Sequence, residues 1–502
     1  MSRLREHFRF EPGRMAWLPV AGIVLLLVLN AAFDILRPGG PGLFGSGAFL
    51  HIAFDGGIPS GATLDILARA APIILAALGM TLVIATGGID LSVGSVAALS
   101  GVVAASLASS GHAPLICILG ALGAAGLCGL WNAFLVAVLR VQPFFATLLL
   151  MVAGRGIAQG LAGGQIVRFD DPFLHALGAG RPAWFLPWPF IVAAIVAVAL
   201  ILFARRTAFG LLLEAVGGSA RAARLSGIRD RRLIALTYIL SALTAGLAGL
   251  IIVGDVRGAD PAAAGRNLEL AAIFGAVVGG TSLKGGRFSL VGAVAGALLM
   301  QTLTATLYAR DVRADVAPLP SALVIIFVCL IGSPFWSRLR TSRSSVGIQP
   351  SKSRWAGRLA RPLHFLQSIR ARHTEASQLP PALSMPDAVP RQQETSPADS
   401  RKHTWFAILR RVPISAGLVI AAALFVFGGI RFDHFASPVT IGNLLSDYAF
   451  VGIAAVGATF VIASGGIDLS VGAVIAFSSI LLATLINAGW HPAPAIAITL
   501  LA

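Results

Sequence analysis

The chain has 502 residues and a formal net charge of +16; 56% of its residues are hydrophobic and only 12% are charged. That charged share is half of what a soluble domain carries, and with a mean hydropathy of +0.84 it excludes a soluble globular protein in favour of an integral membrane protein. The long apolar runs do not alternate with period two, which excludes a transmembrane β-barrel.

Taken in chain order, the apolar runs predict helices at 17–36, 66–86, 93–110, 114–139, 143–163, 184–204, 233–254, 269–283, 288–308 and 319–336. Most are long enough to cross a hydrocarbon core of about 30 Å. The eighth run is short and rich in glycine. The first follows a basic arm but is too long for a signal peptide and lacks a cleavage site, so it reads as a retained anchor. The fold class expected is all-α, a polytopic transmembrane bundle of about ten helices with about three more after a polar interruption.

Cationic excess on short loops marks the cytoplasmic side. It falls on the N-terminal arm (Arg3, Arg5, Arg9, Arg14), on Arg140, on the loop with Arg205, Arg206, Arg221, Arg224, Arg229, Arg231 and Arg232, and on Lys284 and Arg287. Arginines of the odd-numbered loops are balanced by Asp255, Asp260, Asp311 and Asp315. Residues 337–411 hold 14 Lys or Arg against four acids, so +10 of the +16 lies there. These charges read as a topology signal with the N-terminus and the linker cytoplasmic; a nucleic-acid partner, which needs a folded basic face, is not expected.

Apolar runs resume at 413–430, 443–463 and 471–488, and a further one begins at 495. The phrase GMTLVIATGGIDLSVG at 79–94 returns as GATFVIASGGIDLSVG at 457–472, identical at thirteen of sixteen positions and shifted by 378 residues. The expected organisation is a complete module at 1–336, a basic, disordered cytoplasmic linker at 337–411, and the N-terminal part of a second module at 412–502, cut short by truncation, a frameshift or a gene-model error.

In each copy an apolar helix is broken by two glycines, Gly87 and Gly88 or Gly465 and Gly466, and followed by an acid, Asp90 or Asp468. Acids at membrane depth are costly and therefore functional. Asp90 either binds a substrate or coupling ion or caps the next helix; with Ser92 and Ser95 beside it near the cytoplasmic end, capping and gating are preferred. The loop EAVGGSARAARLSGI at 214–228 offers small residues (Ala215, Gly217, Ala222, Ala223) for close docking on a partner, with Gly227 as a helix stop; the alternative is an ordinary positive-inside loop.

GGIDLSVG at 87–94, AVGGSARAARLSGI at 215–228 and LELAAIFGAVVGGTSLKGGR at 268–287, in that order, resemble the membrane permeases of ribose-type sugar ABC importers. Asn132, PFFATL at 143–148, and Arg155 with Gly156 match further. The resemblance implies that Glu214, Ala215, Gly217, Gly218, Ala222, Ala223, Arg224 and Gly227 form the element that couples to a cytoplasmic ABC ATPase. It implies a gating or translocation path formed by Gly87, Gly88, Asp90, Ser92, Asn132, Phe144 and Thr147, with Gly465, Gly466 and Asp468 in the second copy. Gln142, Phe145 and Gln159 are further candidate sugar contacts. The implied partners are that ATPase, a periplasmic sugar-binding protein, a second permease subunit or a second copy, and membrane lipid, at the bacterial inner membrane. The sequence departs from the family at Ser219, where asparagine is frequent, and at Phe288, which would either crowd a close backbone approach or face lipid.

The chain is not expected to be an enzyme or to bind a cofactor; ATP and Mg belong to the partner, because no phosphate-binding loop is present and the glycines around Lys284 have the wrong spacing. Cys117, Cys128 and Cys329 lie in apolar runs without metal-ligand spacing, and His51, His112 and His175 read as solvated loop residues. The alternatives are an ABC permease for amino acids and an ATP-independent secondary transporter.

Overall fold

A computed structural model describes residues 17–37, 48–55, 58–182, 186–313, 416–432, 435–464 and 470–502, together with a few isolated positions. The predicted helix at 319–336, the linker at 337–411 and Gly465 lie outside the described residues, apart from isolated positions of that helix. The chain divides into two units, at 1–352 and 353–502.

The first unit begins with α1 (Trp17–Leu36), a hairpin of β1 (Ala53–Asp55) and β2 (Ile58–Ser60), α2 (Ala62–Ala85), α3 (Val93–Ser109) and α4 (Pro114–Ala133), which ends in a π turn at Phe134–Val138. It continues with α5 (Pro143–Leu161), β3 (Val167–Arg168), α6 (Pro172–Ala179), α7 (Trp188–Arg206), α8 (Phe209–Gly218) and α9 (Ala220–Leu225). The last described elements of this unit are α10 (Asp230–Val256), β4 (Gly258–Ala259), α11 (Leu268–Val278) and α12 (Leu290–Ala309). β3 and β4 pair antiparallel, tying the far end of α10 to the loop after α5.

Two helices form the axis of the bundle. α2 is buried almost without interruption from Ala70 to Ala85, and α10 packs against α2, α3 and α4. With lipid as the outside solvent, hydrophobicity does not drive helices together, so small residues that let backbones approach do the work. Gly79 of α2 seats Ser241 and Thr244 of α10, and Gly249 of α10 seats Ala97 of α3. The outer surface is apolar, with Leu119, Leu127 and Leu130 of α4 and Ile195 and Val198 of α7 exposed, while polar side chains such as Asp90, Asn132 and Ser241 are inside. α1 is held to α12 by polar contacts: Asn30 Nδ2 donates to Thr306 Oγ1 at 2.8 Å, Arg310 Nη2 donates to Asn30 Oδ1 at 2.8 Å, and Arg310 lies 3.5 Å from Asp34.

Several expectations are corrected here. The eighth run yields a helix of only 11 residues, because Asn267 and Gly265 adopt left-handed backbone on one side and Gly279–Gly280 end it on the other. At 1.5 Å per residue α11 is about 16 Å long, half the hydrocarbon core. His175 is not a solvated loop residue: it sits on α6, half-buried, with Nδ1 2.9 Å from the Gly254 carbonyl. Phe288 neither crowds a backbone nor faces lipid but is buried in the main apolar core.

Among its described residues the second unit has four helices, the expected three and a short one at the run noted at 495, which is helical from Pro492. They are α13 (Ala416–Arg431), α14 (Pro438–Ala463), α15 (Val471–Asn487) and α16 (Pro492–Leu501). α14, α15 and α16 repeat the order and starting points of α2, α3 and α4. The entry to α15 also repeats that of α3: Ser470 N and Oγ donate to Asp468 Oδ1 at 2.8 and 2.6 Å.

Candidate functional site

The glycine break begins where α2 runs out. Thr86 caps the helix, and Gly87 takes φ +84, a left-handed turn that a side chain would strain. The chain then turns back into the bundle instead of leaving it. Asp90 Oδ1 accepts from Ser92 N at 3.0 Å and Ser92 Oγ at 2.6 Å, and its Oδ2 accepts from Ser241 Oγ of α10 at 2.8 Å. Ser92 Oγ accepts in turn from Asn132 Nδ2 of α4 at 2.9 Å. Thr147 Oγ1 of α5 donates to the Ile89 carbonyl at 3.2 Å, and Ser95 Oγ of α3 donates to the Leu150 carbonyl of α5 at 3.2 Å.

The break is thus tied to α4, α5 and α10 at once. Asp90, Ser92, Asn132 and Ser241 are each 1% exposed, so a carboxylate that would be ruinous in lipid is satisfied by three donors and sealed from solvent. Asp90 does not cap α3 itself; it fixes Ser92, the N-cap residue, whose own side chain makes no capping bond. Two buried polar atoms nearby, Asn132 Oδ1 and Tyr238 OH, have no hydrogen-bond partner among the described residues, and Tyr238 OH lies against Gly88. Ser241 and Tyr238 carried no motif to mark them; the available signal was a tyrosine and a run of Ser and Thr in an otherwise apolar span.

The second predicted element folds as two short helices. Ser219 separates α8 from α9 and caps the latter, its Oγ accepting from Ala222 N at 3.2 Å. Gly227, at φ +81, ends it, with the Ile228 amide returning to the Ala223 carbonyl at 3.0 Å. The small residues divide between two faces. Ala223 is 4% exposed and Gly217 is half-buried, both turned into their own chain, while Ala215, Gly218, Ala222 and Leu225 are outside; Leu225 is 83% exposed. Arg224 Nη1 donates to Asp230 Oδ2 at 2.6 Å, fixing the return into α10. Glu214 is half-buried; desolvation raises its carboxyl above the usual range, against the opposing pull of Arg287.

All three sequence motifs meet at one point. Gly286 N donates to the Ala85 carbonyl at the end of α2 at 2.9 Å. A Cβ on Gly217 would come under 3.0 Å from both Ala85 O and Gly286 N, and one on Gly285 would lie 2.8 Å from Gly217 O and 2.9 Å from Gly87 N. The C-termini of α2 and α8 and the loop at 282–287 therefore touch backbone to backbone.

Of the remaining candidates, Phe144 is half-buried and stacks edge-on with Phe145 at 5.5 Å, while Gln142, Phe145 and Gln159 are exposed. In the second unit Gly466 and Asp468 are exposed, and Asp468 has no counterpart of Ser241 among the described residues there.

The profile of the family described as "branched-chain amino acid transport system / permease component" matches residues 62–333, more than half of the chain and the whole stretch that carries these three motifs. The chain belongs to that permease family. The permease is 46% identical to the galactofuranose transporter permease protein YtfT of Escherichia coli K12 over 297 residues, 59% of this chain and 87% of the relative. It is 37% identical to the fructose import permease protein FruF of Bifidobacterium longum (57% and 82% covered) and 37% identical to the ribose import permease protein RbsC of E. coli K12 (53% and 84%). No solved structure matches the permease significantly. It is a multi-pass membrane transport subunit, not an enzyme.

Proposed function

We propose that the permease forms the path of an ATP-driven importer for a monosaccharide. Similarity to permeases named for galactofuranose, fructose and ribose supports a sugar over an amino acid. The observation that carries the coupling reading is the backbone contact of Gly217, Gly286 and Ala85. It joins the C-terminus of α8, which leads through Ser219 into the exposed α9, to the end of α2 and the glycine break before Asp90, so a displacement of α8 bears directly on the path. Close-packed contacts of this kind shift between discrete arrangements instead of deforming smoothly.

In this reading a separate cytoplasmic ABC ATPase docks on Ala222, Leu225 and their neighbours, hydrolysing ATP with Mg, and the permease itself holds no cofactor. A periplasmic binding protein delivers the sugar, and the other half of the path is a second permease subunit or a second copy. The protein sits in the bacterial inner membrane with the N-terminus and the linker cytoplasmic. Residues 1–336 act as one permease module, and residues 412–502, which repeat the α2–α4 order and the Asp–Ser turn, start another. The Asp90 network acts in gating.

The test is co-purification with a cytoplasmic ABC ATPase. Ala222→Glu with Leu225→Glu should abolish capture of the ATPase and uptake of labelled sugar while the permease stays monodisperse. A monodisperse double variant that still captures the ATPase would refute the docking surface. Uptake of leucine but of none of galactofuranose, fructose and ribose would refute the sugar.

A further inference from the structure

The mechanism so far leaves one group of polar residues unused: Arg155 on α5, Glu269 in the first turn of α11, and the turns at 260–267 between β4 and α11. Their depth follows from their neighbours. Gly249 lies seven residues before the end of α10, about 10 Å inside it. Ala97 of α3 packs on Gly249, and Gly265 packs on Ala97 and on the Gly94 carbonyl. Residue 265 therefore lies about 10 Å in from the end of a helix that crosses the membrane. Arg155, six residues before the end of α5, is about 9 Å inside its own helix.

At that depth the chain is irregular and partly exposed. Ala262, Ala263, Arg266 and Asn267 are all exposed. Arg155 Nη1 donates to the carbonyls of Pro261 at 3.2 Å and Ala264 at 2.6 Å, and Asp260 Oδ1 accepts from Ala262 N at 2.8 Å and Ala263 N at 3.1 Å. Backbone that is neither helix nor barrel is tolerated within a membrane only where protein covers it or where it lines a water-filled cavity, and an exposed arginine belongs with the second case. Glu269 lies against Gly94, and its Oε2 is buried without a hydrogen-bond partner among the described residues; Arg155 is near enough to act on it electrostatically without a direct ion pair.

We infer that residues 260–267, Arg155 and Glu269 line the aqueous path within the membrane and form a hydrogen-bonding station for a neutral polyhydroxy ligand. The inference rests on the sugar reading above for its ligand and on geometry for its place. A carboxylate oxygen short of donors, and a guanidinium that holds the adjoining turns, match hydroxyl groups, which both donate and accept. α11 is half-length because its other half is replaced by this lining.

Two measurements on the full chain, expressed with its ATPase and binding protein, test it. In a background with Cys117, Cys128 and Cys329 replaced, Ala263→Cys should react with a membrane-impermeant thiol reagent. Reaction only with a membrane-permeant reagent would overturn the inference. Glu269→Gln should reduce uptake of labelled galactofuranose, fructose or ribose roughly tenfold to hundredfold, the effect of losing a hydrogen bond to a charged group, with ATPase capture unchanged. Wild-type uptake and wild-type selectivity among the three sugars in this variant would also overturn it. Labelling of Ala263→Cys together with wild-type uptake of none of the three would refute the sugar reading and uphold the aqueous path.

Discussion

Gly217→Ala is the most direct perturbation of the junction between α2, α8 and the 282–287 loop. The added methyl group would stand under 3.0 Å from Ala85 O and Gly286 N, both backbone atoms that no rotamer change can move aside. Relief requires α8 to back away from both α2 and the 282–287 loop, opening the junction on its α8 side. Overpacking of this kind costs about 1–3 kcal/mol, taken from the closed junction. That is a shift of about 5-fold to about 140-fold in its population. Gly218→Ala is the control, since a Cβ there meets nothing within 4 Å. The assay compares sugar-stimulated ATP hydrolysis and the half-life of thermal inactivation in proteoliposomes. Gly217→Ala should lose stimulation and inactivate faster while Gly218→Ala behaves as wild type. Identical behaviour of the two variants would refute a rigid backbone joint.

Three further outcomes are expected. Asp90→Asn keeps an acceptor for Ser92 but presents an amide to Ser241, so uptake should fall about tenfold, the loss of one charge-assisted hydrogen bond, with ATPase capture intact; unchanged uptake would count against a gating role. Arg310→Ala leaves Asn30 and Asp34, 0% and 7% exposed, short of a partner, and should destabilise the α1–α12 contact by about 1–3 kcal/mol, read as faster thermal inactivation. Asp468→Asn, at an exposed position, should leave the inactivation half-life unchanged where Asp90→Asn shortens it; equal effects would mean that Asp90 draws little from its burial.

Much of the fold was legible because lipid imposes length and apolarity on each span. The predicted runs at 93–110 and 114–139 coincide within a residue with α3 and with α4 taken together with its π turn, and the glycine break and the Ser219–Gly227 segment fold where their residue types place them. The repeated Asp–Ser turn was equally readable, since Ser470 and Ser92 reach their acids within two residues. What failed was the eighth run: apolarity alone cannot distinguish a spanning helix from a half-length one preceded by turns.

The sequence by itself therefore determined the membrane class, the order of helices and the local turns, because these depend on side chains a few positions apart. Only the tertiary structure decided that Asp90 is paired with Ser241, 151 residues away, that Ala223 and Gly217 face inward while Leu225 faces out, and that Gly87, Gly217, Gly285 and Gly286 share one junction. Those outcomes depend on which backbones approach within a few ångströms. Glycine permits such an approach wherever it occurs, and the partner is chosen by the packing of the whole bundle.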